Sequence, residues 1–142
     1  MRALLDVNVL IALLDEDHSL HVRATEWFAG HARRGWASCP ITQNGCIRII
    51  SHPRYPNSVP VNAVVGRLRE ACETTLHEFW PDDISLLDDR GVDSARMHGP
   101  AQITDTYLLA LAVQHGGRFV TFDTAISRDA VKGASAPHLL VL

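Results

Sequence analysis

Arg118-Phe119-Val120-Thr121-Phe122-Asp123 is a short run of apolar and β-branched residues ending in a carboxylate. It follows Gly116-Gly117, the residues expected where a helix stops in a left-handed turn. The run therefore reads as a buried strand over 118–122 that delivers Asp123 at its C-terminal end. Immediately upstream, 105–115 reads as a helix led in by 100–103, with Asp105 at its start. The opening of the chain has the same shape. Residues 2–5 are apolar after the arginine and end abruptly in Asp6, as a second short buried strand would. Asn8 is expected to cap a helix that runs through Leu14, with Val9, Leu10, Leu13 and Leu14 as its apolar stripe.

The rest of the chain repeats this alternation. A helix over 19–34 turns Trp27 and Phe28 toward the core, and Gly35 punctuates it. A strand over 36–39 is stopped by Pro40, and a helix over 41–50 follows. The loop 51–60 holds Pro53, Pro56 and Pro60, which keep it out of regular structure. Val64, Val65, Leu68 and Cys72 lie at helical spacing in 62–74. A strand over 77–80 precedes Pro81, the acidic stretch 82–89 reads as a loop with a short helix after it, and 138–142 is a last strand. Short, wholly apolar strands alternating with helices predict an α/β fold: three layers, with a short, largely parallel sheet flanked by helices. At 142 residues this is one domain, 1–142, large enough for its own core.

Such sheets bind ligands beyond the C-terminal ends of their strands. Asp6 and Asp123 each follow a strand, and Asp105 opens a helix whose N-terminus can reach the same rim. Taken singly, each is equally a turn or cap residue. Together they make a hard-oxygen cage suited to Mg²⁺ or Mn²⁺, ions that act on phosphodiesters by activating water, so that no side-chain nucleophile is needed. Thr104 and Thr121 flank the acids and can orient them. Asn8 either caps its helix or orients Asp6.

Composition narrows the remaining classes. The formal charge of −3 excludes nucleic-acid binding through bulk positive charge but leaves room for a local patch, for which Arg33, Arg34 and Arg54 are candidates. Cys39, Cys46 and Cys72 are odd in number and lack a CxxC pair, so they read as small buried hydrophobes in a reducing cytoplasm. His18 and His21 are spaced i, i+3 without the further ligands of a zinc site. There is no apolar run long enough for a membrane span, no room before Asp6 for a secretory leader, and no P-loop, dinucleotide fingerprint or serine-nucleophile signature.

Leu4-Leu5-Asp6-Val7-Asn8-Val9-Leu10-Ile11 resembles the opening motif of PIN-domain proteins. Residues 104–112 (TDTYLLALA) are similar to their helix bearing the third acid, and Val120-Thr121-Phe122-Asp123 resembles their late strand end. The segments 40–48 (PITQNGCIR) and 77–83 (HEFWPDD) look like the VapC-type toxin branch of that family. The motifs stand in register from end to end. The resemblance implies a Mg²⁺- or Mn²⁺-dependent endoribonuclease with Asp6, Asp105 and Asp123 as catalytic and metal-holding residues. It also implies a homodimer and a cognate VapB-type antitoxin lying along the active-site groove, against which apolar stripes such as 9–14 and 62–74 would serve.

In one place the chain departs from the family pattern. PIN domains usually carry a second acid, most often Glu, on the helix that here starts near Ile41, and this chain has none between Pro40 and Ile50. Asn44 or Gly45 stands there, and Arg48, one turn on from Asn44, is placed to reach an RNA phosphate. Two readings follow: a metal held by three acids and water, or a degenerate PIN domain that binds RNA or antitoxin without cutting. Asp82, Asp83, Asp88 and Asp89 are the other acids available to substitute. Small-molecule phosphoryl transfer fits less well. A haloacid-dehalogenase-like phosphatase wants Asp at position 8, where this chain has Asn8. A receiver domain wants paired acids after its first strand and a lysine after a late strand, and Lys132 follows none.

Overall fold

The computed structural model describes residues 1–142. Five short parallel strands form one sheet: β1 (Ala3–Leu5), β2 (Trp36–Ser38), β3 (His77–Phe79), β4 (Arg118–Thr121) and β5 (Leu139–Val141), in the order β3-β2-β1-β4-β5. Every pairing is parallel, so the sheet is more uniform than the largely parallel one expected. β1 is the central strand and is buried at all three residues, which is why it carries no alternating pattern.

The five helices are α1 (Val7–Leu14), α2 (His21–His31), α3 (Pro40–Ile50), α4 (Val61–Cys72) and α5 (Ile103–Gln114). α5 packs on one face of the sheet, where Leu108, Leu109 and Leu111 meet Leu4, Ala37 and Phe119. On the other face Val9 and Leu10 of α1, Cys46 and Ile50 of α3, and Val64 and Leu68 of α4 meet Ala3, Leu5 and Val120. The three expected layers are present, with two apolar cores separated by one sheet. No helix is long and apolar enough to cross a membrane.

Several boundaries move for physical reasons. α2 ends at His31, and Ala32–Arg34 tightens into a 3₁₀ turn before Gly35, whose φ of 82° reverses the chain. α3 starts one residue early because Pro40 occupies its first position, where a missing N–H costs nothing. α5 starts at Ile103 rather than Asp105, which places Asp105 in the first turn. The segment after β3 has only two short 3₁₀ helices, Ser94–Arg96 and Pro100–Gln102, and β4 stops at Thr121. Cys39 and Cys46 are buried and Cys72 is half-buried, all as free thiols.

Asn8 does not cap α1. The cap is Asp6, extended at φ −62° and ψ 158°, whose carboxylate accepts the Val7 N–H at 2.7 Å. Asn8 lies inside the helix, and its side chain is used elsewhere.

Candidate active site

The sheet register builds the site. Leu4 pairs with Phe119 and Leu5 with Val120, so Asp6 and Thr121 come next to each other one residue further on. Strand side chains alternate in direction. Leu4 and Phe119 face α5, and Leu5 and Val120 face the other core, so Asp6 and Thr121 point toward α5 again. The Asp6 N–H donates to the Val120 carbonyl at 2.9 Å, extending the ladder through the acid itself.

Thr121 is fully buried and its hydroxyl is fully used. It donates to Asp6 Oδ2 at 2.6 Å, and accepts the Asn8 amide at 3.2 Å and the Asp123 N–H at 3.0 Å. One donor and two acceptor positions exhaust a hydroxyl's capacity. Asn8 completes the frame by accepting the Phe122 N–H at 3.2 Å. Asp123 in turn accepts the Ala125 N–H at 2.8 Å, an Asx turn that holds its carboxylate beside the strand end.

Asp105 reaches the same place from the first turn of α5. With Asp123 and the buried Thr106 it lines a cleft of about 220 Å³, whose wall also includes Gln102, Ser127 and Arg96. Asp6, only 8% exposed, is a close electrical neighbour of both acids rather than part of that wall. Burial, then the charges of Asp6 and Asp123, push the Asp105 carboxyl up to about 6. Burial also raises Asp6, with a smaller push from Asp123, against the lowering effect of the Thr121 hydrogen bond. Desolvation and like-charge repulsion thus act in the same direction on adjacent carboxyls.

These acids face one another without closing into a cage: no three His, Cys, Asp or Glu side chains are disposed to hold an ion unaided. Uncompensated carboxylates repel, so an open arrangement is what their charges dictate. The donor chemistry nevertheless fits a hard divalent cation. Three carboxyl groups from three separate elements, two of them shifted toward protonation by burial and, to a smaller extent, by the neighbouring charges, are an oxygen-only set that positive charge would stabilise.

Other residues singled out in the sequence fall differently. Thr104 is exposed and makes no hydrogen bond to the acids; Thr106, two residues on, is the one buried at the cleft. Asn44 and Arg48 are exposed on α3. Gly45 lies against α1, where an added Cβ would come within 2.7 Å of Val7 Cγ2. Gln43 turns to Ser38, donating to its hydroxyl at 2.9 Å. No acid comes from α3. The acidic loop does not replace it: Asp83 pairs with His115 at 3.0 Å, Asp88 with Arg90 at 2.7 Å, and both line a cleft along the far half of α5. The largest cleft, about 910 Å³, is elsewhere again, between the end of α1 and α4, around Asp15, Asp17 and Glu70. Size does not single out the candidate site; the convergence of the acids, with Asp105 and Asp6 raised, does. Thr106 sat inside the quoted 104–112 motif, whereas Gln102, Ser127 and Arg96 carry no periodic signal in the sequence.

The PIN-domain family profile matches residues 3–132, which includes all three acids. Ribonuclease VapC44 of Mycobacterium tuberculosis is 56% identical over 142 residues, covering 100% of both chains. The chain belongs to the PIN-domain family, among its VapC ribonucleases. A second PIN-domain relative, ribonuclease VapC39 of the same species, is 42% identical over 135 residues, covering 94% of this chain and 96% of its own. The crystal structure of VapBC2 from Rickettsia felis, bound to a DNA fragment from their promoter, has a similar PIN fold. Its TM-score is 0.57 at 12% identity, over 100% of this chain and 98% of that one. At that identity the likeness concerns the fold, and the parallel order β3-β2-β1-β4-β5 is the part of the PIN domain that sets the acids on one rim.

Proposed function

We propose that this chain is an endoribonuclease dependent on Mg²⁺ or Mn²⁺, acting as the toxin of a VapBC-type pair. The observation that carries the reading is the meeting of Asp6, Asp105 and Asp123 on one rim, with Asp105 pushed up to about 6 by burial and by the other two acids. Asp105 and Asp123 line the cleft and would hold an ion directly, and the buried Asp6 would contribute charge beside them. The ion, when bound, supplies positive charge to the phosphate and brings a water's pKa toward neutrality. The chain's own part is positioning. Thr121 locks Asp6 in one orientation, Asn8 ties Thr121 to the β4 exit, and the Asx turn fixes Asp123. With Asp105 deprotonated the site carries the negative charge that binds the cation; with Asp105 protonated it loses that grip. A VapB-type antitoxin and a second copy of the chain are the proposed partners.

Asn44 favours a second reading, a PIN domain that binds RNA without cutting, because α3 brings a neutral amide where the family usually has a carboxylate. Magnesium commonly keeps several waters, so three acids are enough for the first reading.

The deciding experiment is RNA cleavage by the purified, antitoxin-free chain with Mn²⁺, beside EDTA and Asp6→Asn. Cleavage that needs the metal and falls by about 10²–10³ or more in the variant supports the nuclease. A folded chain that binds RNA yet cuts nothing across a varied panel supports the binding-only domain.

A further inference from the structure

The acid cleft continues past its carboxylates. Arg96 stands in its wall and also in the wall of an adjoining cleft of about 470 Å³ that holds Arg128 and Lys132. In a chain of net charge −3, three of the 13 lysines and arginines, including the single lysine, gather beside the acids. We infer that this Arg96–Arg128–Lys132 cleft is the track along which the backbone of a single-stranded RNA leaves the site. The inference rests on the ribonuclease reading above and adds the side from which the substrate is held.

Three observations support it. Arg128 and Lys132 form no ion pair, although Lys132 also borders the cleft of Asp88 and acts on its charge; Arg96 is paired only with Asp93, at 3.3 Å on the surface. Asp93 and Asp129 share the cleft, and they leave the cations in excess. All three cations are exposed while the backbone beneath them is fixed. Val92 and Val131 pair in an antiparallel bridge, the Asp93 N–H donates to the Ala130 carbonyl at 2.8 Å, and the Lys132 N–H donates to the Gly91 carbonyl at 2.9 Å. Val92, Ala130 and Val131 are each at most 4% exposed, anchoring the platform in the core around α5.

The ribonuclease reading makes RNA the polyanion this cleft would meet, and charge explains why it needs the cations. A polyanion approaching three carboxylates is repelled unless cations stand beside them, and Arg96 joins the two clefts at that point. None of the arginines expected from the sequence to meet RNA, at positions 33, 34, 48 and 54, lines either cleft.

The test uses the full chain carrying Asp6→Asn and a fluorescein-labelled single-stranded RNA of about ten nucleotides, a length within the usual span of such sites. Anisotropy is measured from about 50 to about 200 mM salt, and the double substitution Arg128→Gln/Lys132→Gln is compared with Arg67→Gln/Arg69→Gln, an equal charge loss on α4. The first pair should weaken binding and make the log–log salt slope shallower by about 1.4, roughly 0.7 for each phosphate no longer neutralised; the α4 pair should match the parent. In the cutting background the first pair should raise KM and leave kcat near the parent's. Equal slopes for both pairs would overturn the track while leaving the nuclease standing. Loss of antitoxin binding with RNA binding intact would make the cleft a protein-docking site and also overturn it. A parent chain that neither binds nor cuts RNA would remove the ribonuclease reading itself.

Discussion

Thr121 is the residue on which the site's order turns, because a single hydroxyl donates to Asp6 and accepts from both Asn8 and Asp123. Thr121→Val keeps the shape and deletes the hydroxyl, leaving a buried carboxylate short of a donor. A hydrogen bond to a charged group contributes about 1.5–3 kcal/mol, so urea unfolding should show a loss in that range, and cleavage should fall with it. Thr121→Ser, which keeps the hydroxyl, should recover most of the activity, and its failure to do so would show that the methyl packing matters more. Asp105 carries the second prediction. Its folded-state pKa of about 6 lies above the ordinary 3.8, so the folded protein binds the proton more tightly than the unfolded one. Metal-free stability is therefore highest at low pH as far as this group is concerned, and declines as pH rises from about 4 through about 6. Asp105→Asn should remove that decline in a pH series of thermal melts, melt higher than the parent at pH 7 without metal, and be inactive. Asp6, also raised, adds to the slope in the same direction.

At the scale of elements, the crossing of α1 and α3 decides where Asp6 sits, since Asp6 is the cap of α1. Gly45 lies at that crossing, against Val7. In an ordinary helix Gly→Ala stabilises by about 1 kcal/mol through backbone entropy. Here the new Cβ would come within 2.7 Å of Val7 Cγ2, and a β-branched side chain in a helix has little rotamer freedom with which to move aside. Overpacking of about 1–3 kcal/mol should outweigh the entropy gain, so Gly45→Ala is expected to be destabilising. Adding Val7→Ala should restore part of the loss, and a double-mutant cycle showing no coupling would mean that the crossing does not set the sign. At the end of α5 the sign rests on conformation alone: Gly116 has φ 65° and no neighbour within 4 Å, so Gly116→Ala should cost about 1 kcal/mol from backbone strain.

On the scale of the whole molecule, the three acids come from the exits of the central strand and its neighbour and from the helix that covers both, so binding at the candidate site would couple the α5 layer to the sheet. A ligand that binds only the folded state stabilises it by about 2.7 kcal/mol at a hundredfold excess over its Kd. Mn²⁺ should therefore raise the melting temperature in proportion to the logarithm of its concentration. The effect should shrink as pH falls through about 6, where protons compete for Asp105. A melting temperature indifferent to Mn²⁺ at pH 7.5 would remove the metal from the proposal and leave the binding-only domain.

The sequence by itself determined the element types and the address of the candidate site. Fully buried parallel strands must be apolar throughout, and a carboxylate directly after such a run, as at Asp6 and after Val120-Thr121-Phe122, has to emerge at a strand end. The helix bearing Asp105 was legible from its apolar run and the Gly116-Gly117 stop. Tertiary structure alone decided the rest. The cap of α1 is Asp6 and not Asn8, because Asn8 is drawn to Thr121 and Phe122, 113 and 114 residues away in the chain. Thr106 and not Thr104 enters the cleft, because helix rotation against the sheet selects the face. The cations beside the acids, Arg96, Arg128 and Lys132, lie in a 3₁₀ turn and a loop without periodicity, and the backbone pairing of 91–93 with 130–132 brings them together. Local pattern records which side of an element is buried; which distant residue it then meets depends on register and loop closure, which no window of sequence contains.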